Sequence, residues 1–201
     1  MPRRPAVSSG LAAVALIGLT ASGCAPAPAT QTDANTAPRL DLPRLERLVH
    51  DRANDARQGE GRTRLAWSDS MATVARRHSE DMARRGFFDH RNPDGLDPTQ
   101  RARTAGLRCE IVEGRTVWRG FAENLFYTQH FSSGQTTTYP DGRAVTVYQW
   151  KSPETLATES VRQWMNSPGH RANLLQARSR RSGVGIAHGP DRRLYCTQVF
   201  C

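Results

Sequence analysis

Three residues have the types and settings that chemistry asks for: His90, Glu123 and His170. His90 closes Phe87-Phe88-Asp89-His90, just past a helix-stopping Gly86, on a loop from which a side chain can point into a cleft. His170 follows the helix-breaking Pro168-Gly169 directly. Imidazoles in such places serve as metal ligands or as acid and base groups near neutral pH. Glu123 is flanked by Phe121, Ala122, Leu125 and Phe126, where an unpaired charge is expensive, so it needs a partner or a function. Ser167, three residues ahead of His170, resembles half of a nucleophilic pair, but a Pro-Gly turn intervenes and no third member is visible. His78 lies on the apolar face of a helix and reads as a core histidine with a satisfied hydrogen bond.

The elements around these residues are legible from periodicity and caps. Asp41 caps a helix with Leu42, Leu45, Leu48, Val49, Ala53 and Ala56 on one stripe, ending at Gly59 and Gly61. Ser68 caps a second helix, with Met71, Val74, Ala75, His78 and Met82 on one face and Gly86 as its stop. Asp97 and Pro98 open a short helix that closes at Gly106. Residues 132–143 look like a polar loop with a Pro140-Asp141-Gly142 turn, flanked by strand-like Thr136–Tyr139 and Ala144–Trp150. Ser152 and Pro153 start another helix, striped with Ala157, Val161, Trp164 and Met165, which must break near Pro168-Gly169. The C-terminus reads as an antiparallel hairpin, Gly183–His188 and Arg193–Phe200 around a Gly189-Pro190-Asp191 turn. Helices first and a hairpin last predict an α+β layered domain.

With 201 residues the chain holds one ordinary domain, and 37% hydrophobic with 23% charged residues excludes a polytopic membrane protein and a disordered one. The net charge of +9 rests almost wholly on arginine, since Lys151 is the only lysine among 28 basic residues. This bias settles nothing about function, and no nucleic-acid-binding motif accompanies it. The N-terminus is more telling. Arg3 and Arg4 precede an apolar run, Leu11–Leu19, too short to span a bilayer, and small residues follow it. Ala21-Ser22-Gly23-Cys24 reads as a lipobox, so residues 1–23 are expected to be a lipoprotein-type signal peptide and Cys24 the lipidated residue. Ala25 after it favours the outer membrane where a cell has one, and ordinary secretion follows if the lipobox is not used. Residues 24–40 form a flexible Ala/Pro/Thr-rich tether, and 41–201 the domain. Three cysteines remain, allowing one intramolecular disulfide in an oxidising compartment. Cys196 and Cys201 face opposite sides of one strand, so Cys109 is expected to pair with one of them.

The following segments occur together and in order: His78-Ser-Glu-Asp-Met82, Phe87-Phe-Asp-His90 with Pro93-Asp-Gly95, Glu123-Asn-Leu125, the run Trp164–Leu175 containing Asn-Ser-Pro-Gly-His170-Arg-Ala-Asn, Gly183-Val-Gly185, and Tyr195-Cys-Thr-Gln198. Over residues 42–201 this series resembles the CAP superfamily (cysteine-rich secretory proteins, antigen 5 and pathogenesis-related 1), in its bacterial sperm-coating-protein-like branch. The resemblance implies an α-β-α sandwich with a small antiparallel sheet between helical layers, exported from the cytoplasm. It also implies a cavity lined by two His and two Glu that often holds a divalent metal. His90, Glu123 and His170 match three of the four. Ser167 stands where the second Glu is expected, with Glu159 a weaker candidate upstream. Two imidazoles and one carboxylate would still leave a tetrahedral position open for water on zinc; magnesium is the other cation considered. Without metal, the three form a hydrogen-bond network that orders the fold.

The expected role is therefore a monomeric, lipid-anchored binding module of the cell envelope, with metal, sterol or other lipid, or protein partners as ligand classes. Two alternatives stand beside it: a metal-dependent, peptidase-like hydrolase using the same residues, and a purely structural envelope protein. Family likeness is not evidence of turnover.

Overall fold

Caps and apolar stripes set the helices. The Asp41 side chain accepts a hydrogen bond from the Arg44 amide at 3.1 Å and opens α1 (Leu42–Gly59). Ser68 caps α2 (Asp69–Arg85), which ends on Gly86 in the left-handed region. Asp97 and Gln100 form a reciprocal capping box on α3 (Pro98–Thr104). The computed structural model describes residues 36–201. The export signal, Cys24 and most of the tether therefore lie outside the described residues.

In chain order a two-residue strand, β1 (Ala66–Trp67), separates the first two helices. After α3 come a small hairpin of β2 (Glu110–Glu113) and β3 (Thr116–Arg119), then β4 (Ala122–Gln129). A second hairpin follows, of β5 (Phe131–Thr138) and β6 (Ala144–Trp150). Next are α4 (Pro153–Asn166) and α5 (Pro168–Leu174), and the chain closes with β7 (Arg181–His188) and β8 (Arg193–Phe200). The main sheet has the order β1-β7-β8-β4, with β4 at one edge. Antiparallel pairing joins β7 to β8 and β8 to β4. The sheet is mixed rather than wholly antiparallel, because β1 joins β7 in parallel through Ala66↔Arg181 and Trp67↔Ser182.

Alternation along the strands builds two cores. Val184, Ile186, Leu194, Cys196 and Phe200 pack with Leu45, Val49 and Ala53 of α1 and Leu156, Ala157, Val161 and Trp164 of α4. On the opposite face Val199 packs with Met71 and Ala75 of α2, and Leu125 and Tyr195 pack with Met82. This is the expected α-β-α sandwich. Gly183 and Gly185 let α2 lie directly on β7, since a β-carbon at either would overlap the α2 backbone at Ala72 or Arg76.

One local expectation is corrected. Residues 132–135 are not loop: β5 begins at Phe131 and pairs with β6 as a long exposed ribbon around the Pro140-Asp141-Gly142 turn. The break expected near Pro168-Gly169 falls at Ser167, and Pro168 starts α5, where its missing amide costs nothing in the first turn. The hairpin of β2 and β3 is an element that the sequence reading lacks. Cys109 pairs with Cys201, the Cα atoms 5.7 Å apart. Cys196 points into the other core and is a buried free thiol.

Candidate functional site

The edge position of β4 brings residues from both helical layers together. Glu123 points toward the α2 side, whereas its neighbour Asn124 points toward α5. The Asn124 side-chain amide donates to the His170 carbonyl at 3.0 Å. Asn173 returns the contact, donating to the Glu123 carbonyl at 3.0 Å and to Asn124 Oδ1 at 3.1 Å. This amide clasp fixes the first turn of α5, and with it His170, against the sheet edge.

Glu123 is the centre of the cluster. Its Oε1 accepts from His90 Nδ1 at 2.8 Å, and its Oε2 accepts from Arg101 Nη2 at 2.6 Å. Its side chain is 1% exposed and that of Arg101 is 9% exposed, so the charge lost to water is met by a charge-assisted hydrogen bond. Arg101 also donates through Nη1 to the carbonyls of His90 (2.6 Å) and Leu96 (2.9 Å). One guanidinium thus holds both the carboxylate and the backbone of the His90 loop. Behind them, buried His78 donates from Nε2 to the Asp89 carbonyl at 3.0 Å and lies 3.9 Å from Glu123 Oε1. Burial lowers the His78 pKa against the opposing pull of Glu123.

The partners assign the tautomers. A carboxylate oxygen accepts, so His90 carries a proton on Nδ1 and its Nε2 is the ring nitrogen left free of Glu123. The His90 side chain is half-exposed. Its ring centre stands 6.3 Å from that of His170, with the planes 56° apart. Burial, and then the neighbouring His90, lower the His170 pKa, which favours the neutral form of that ring.

The structure thus brings His90, Glu123 and His170 together. Ser167 is the N-cap of α5, half-buried and without a side-chain capping bond. Glu159 is engaged elsewhere, its carboxylate accepting from Lys151 at 2.7 Å. Arg171 turns away to Glu60 at 2.8 Å. Among the described residues no group of three His, Cys, Asp or Glu side chains converges as a preformed metal site. Both Glu123 oxygens are spent on His90 and Arg101, so the carboxylate stands behind His90. Arg101 is the member that sequence reasoning missed. The signal was present: a glutamate among apolar residues demanded a cation, and only three-dimensional proximity shows which of many arginines supplies it.

The family model for the cysteine-rich secretory protein family matches residues 50–200. Two Bacillus subtilis (strain 168) proteins are similar in sequence. YkwD, an uncharacterized protein, is 28% identical over 161 residues, covering 80% of this chain and 49% of its own. YlbC, an uncharacterized membrane protein, is 29% identical over 155 residues, covering 77% and 34%. The chain therefore spans about half and about a third of the length of these relatives. Among solved structures, an outer surface protein from Borrelia burgdorferi superposes with a TM-score of 0.55 at 14% identity, over 82% of this chain and 97% of that one. An extracellular protein containing an SCP domain from Bacillus anthracis str. Ames gives 0.52 at 23%, over 82% and 44%. These likenesses show the shared fold. With the family's model running through both helical layers and every residue of the cluster, the chain belongs to the cysteine-rich secretory protein (CAP) family.

Proposed function

We propose that the protein is an extracytoplasmic, lipid-anchored binding module that takes a divalent transition metal between His90 and His170. The observation that carries this reading is the pair of imidazoles whose ring centres stand 6.3 Å apart, one of them half-exposed and bonded through Nδ1 to Glu123. Two imidazoles bound to one zinc ion have ring centres roughly 5–6 Å apart, so small side-chain rotations would bring both to the ion. Imidazole nitrogen suits zinc and not magnesium, which demands oxygen ligands. A bound ion would act as a Lewis acid with coordination positions open to an external ligand.

The remaining work falls to the protein's own groups. Glu123 orients His90, as carboxylates behind metal-bound histidines do. Arg101 grips that carboxylate and ties down the loop carrying His90. Asn124 and Asn173 hold α5 in register. The same arrangement favours binding over turnover, because neither Glu123 oxygen is free of a donor to take a proton from water.

The anchor rests on the Ala21-Ser22-Gly23-Cys24 motif and on similarity to proteins described as outer surface and extracellular. Metabolic labelling with radioactive palmitate tests it. Wild type should carry label and sediment with membranes, and Cys24→Ser should lose both. Unlabelled wild-type protein in the medium would contradict the anchor.

A further inference from the structure

The hairpin of β2 and β3 spends only one of its faces on packing. Pairing sets Ile111 opposite Trp118. On that side Ile111 packs on the core around the Cys109–Cys201 disulfide, and the Arg178 guanidinium lies over the Trp118 ring at 4.1 Å. Alternation puts the pairs Glu110–Arg119 and Val112–Val117 together on the other face. There Val112 is 64% and Val117 39% exposed, two apolar side chains side by side in water.

At the base of that same face opens a cleft of about 130 Å³, lined by Glu110 and Arg119 of the hairpin, Arg103 of α3 and Arg108 of the segment between them. Three guanidinium groups from separate segments thus share one carboxylate. Glu110 accepts from Arg119 Nε at 3.0 Å, and among the described residues no carboxylate pairs with Arg103 or Arg108. Arg115, in the turn at the hairpin's tip, adds a further exposed cation, while Glu113 belongs to the packed face. Unpaired guanidinium groups in one cleft suit an anion, and their planar forks match phosphate oxygens. The cleft is smaller than the roughly 300 Å³ at which small-molecule sites begin, so it takes one ionic group and not a whole organic ligand. A soluble polyanion would use the arginines and leave the valines in water. A bilayer of anionic lipid uses both, with phosphates at the guanidinium groups and apolar side chains in the headgroup boundary. We propose that this face of the β2–β3 hairpin docks on an anionic phospholipid surface, a lipid phosphate entering the cleft between Arg103, Arg108 and Arg119. None of these residues belongs to the cluster around Glu123, and the docking does not depend on the lipid anchor.

The test is sedimentation with vesicles of the chain from Ala25, which keeps every described residue and lacks the export signal and Cys24. This chain should bind an equimolar mixture of phosphatidylglycerol and phosphatidylcholine, release on added salt, and ignore phosphatidylcholine alone. Arg103→Gln with Arg108→Gln should weaken binding by about tenfold or more. Val112→Asn should weaken it by about threefold or more, which a purely ionic contact would not show. All three positions are exposed, so the variants should keep the wild-type urea midpoint. A Glu80→Gln control, on α2 and outside the hairpin and its cleft, should not weaken binding. No binding to the anionic vesicles, equal binding to both vesicle types, or unchanged affinity in the folded variants would overturn the proposal. Binding to soluble polyphosphate with none to vesicles would overturn it too, making the partner a dissolved polyanion.

Discussion

Arg101 and Glu123 form a buried ion pair, Nη2 to Oε2 at 2.6 Å, on which the geometry of His90 depends. Removing one partner from such a pair leaves an uncompensated charge in a poorly solvated place. Arg101→Met should therefore lower unfolding stability by about 3–5 kcal/mol in urea titrations. Adding Glu123→Gln to that variant should recover part of the loss, because the stranded charge is gone. Equal stability of wild type and Arg101→Met would contradict the pair's role.

Acid should destabilise the fold through its histidines. His50, His78, His130, His170 and His188 all have pKa values lowered from 6.5, with burial the first cause in each. The unfolded chain then takes protons more readily than the folded one. Their contribution is complete above pH 6.5 and is lost as pH falls below it toward the lower folded values. The urea midpoint should hold steady from pH 8 to 7 and decline from about 6.5 downward. His50 bonds to Ser182 Oγ and Asn54 within the core, each at 3.0 Å. His50→Gln should flatten the decline.

The thiols should behave differently from one another. The Cys109–Cys201 disulfide spans a sequence separation of 92, and replacing both with serine should cost about 3–5 kcal/mol by freeing the unfolded chain. Cys196 is buried and desolvation pushes its thiol well above the ordinary range. It should resist Ellman's reagent in the native protein and react once the chain is unfolded in denaturant.

Backbone contact between α2 and β7 gives another check. Gly185→Ala sets a methyl group against the Arg76 backbone, which no side-chain rotation can relieve. A loss of about 3 kcal/mol or more is expected, at the upper end for overpacking. An unchanged melting temperature would mean that α2 shifts freely on the sheet.

Much of this architecture is readable from local signals. Asp41, Ser68, Asp97 and Ser152 mark helix starts because capping is a local hydrogen bond. His90, Glu123 and His170 stand out because loops beside breakers and an apolar-flanked carboxylate are visible in one dimension. What escapes is non-local. The pairing of β1 with β7 spans over a hundred residues and only two positions. Cys201, not Cys196, partners Cys109 because of which sheet face each occupies. Arg101 joins Glu123 across 22 residues with nothing to distinguish it from neighbouring arginines. The glycines at 183 and 185 are visible in the sequence, but their reason, a helix backbone against a strand, is not.

The central claim is that His90 and His170 form one metal site with Glu123 behind it. Calorimetric titration of zinc into metal-stripped protein, beside His90→Ala and His170→Ala, tests it most directly. The account predicts one zinc per chain in wild type, no binding in either variant, weakening by about tenfold or more in Glu123→Gln, and no response to magnesium. Absence of zinc binding in folded wild type, or binding that survives both histidine substitutions, would contradict it and leave the three residues as a network that serves the fold.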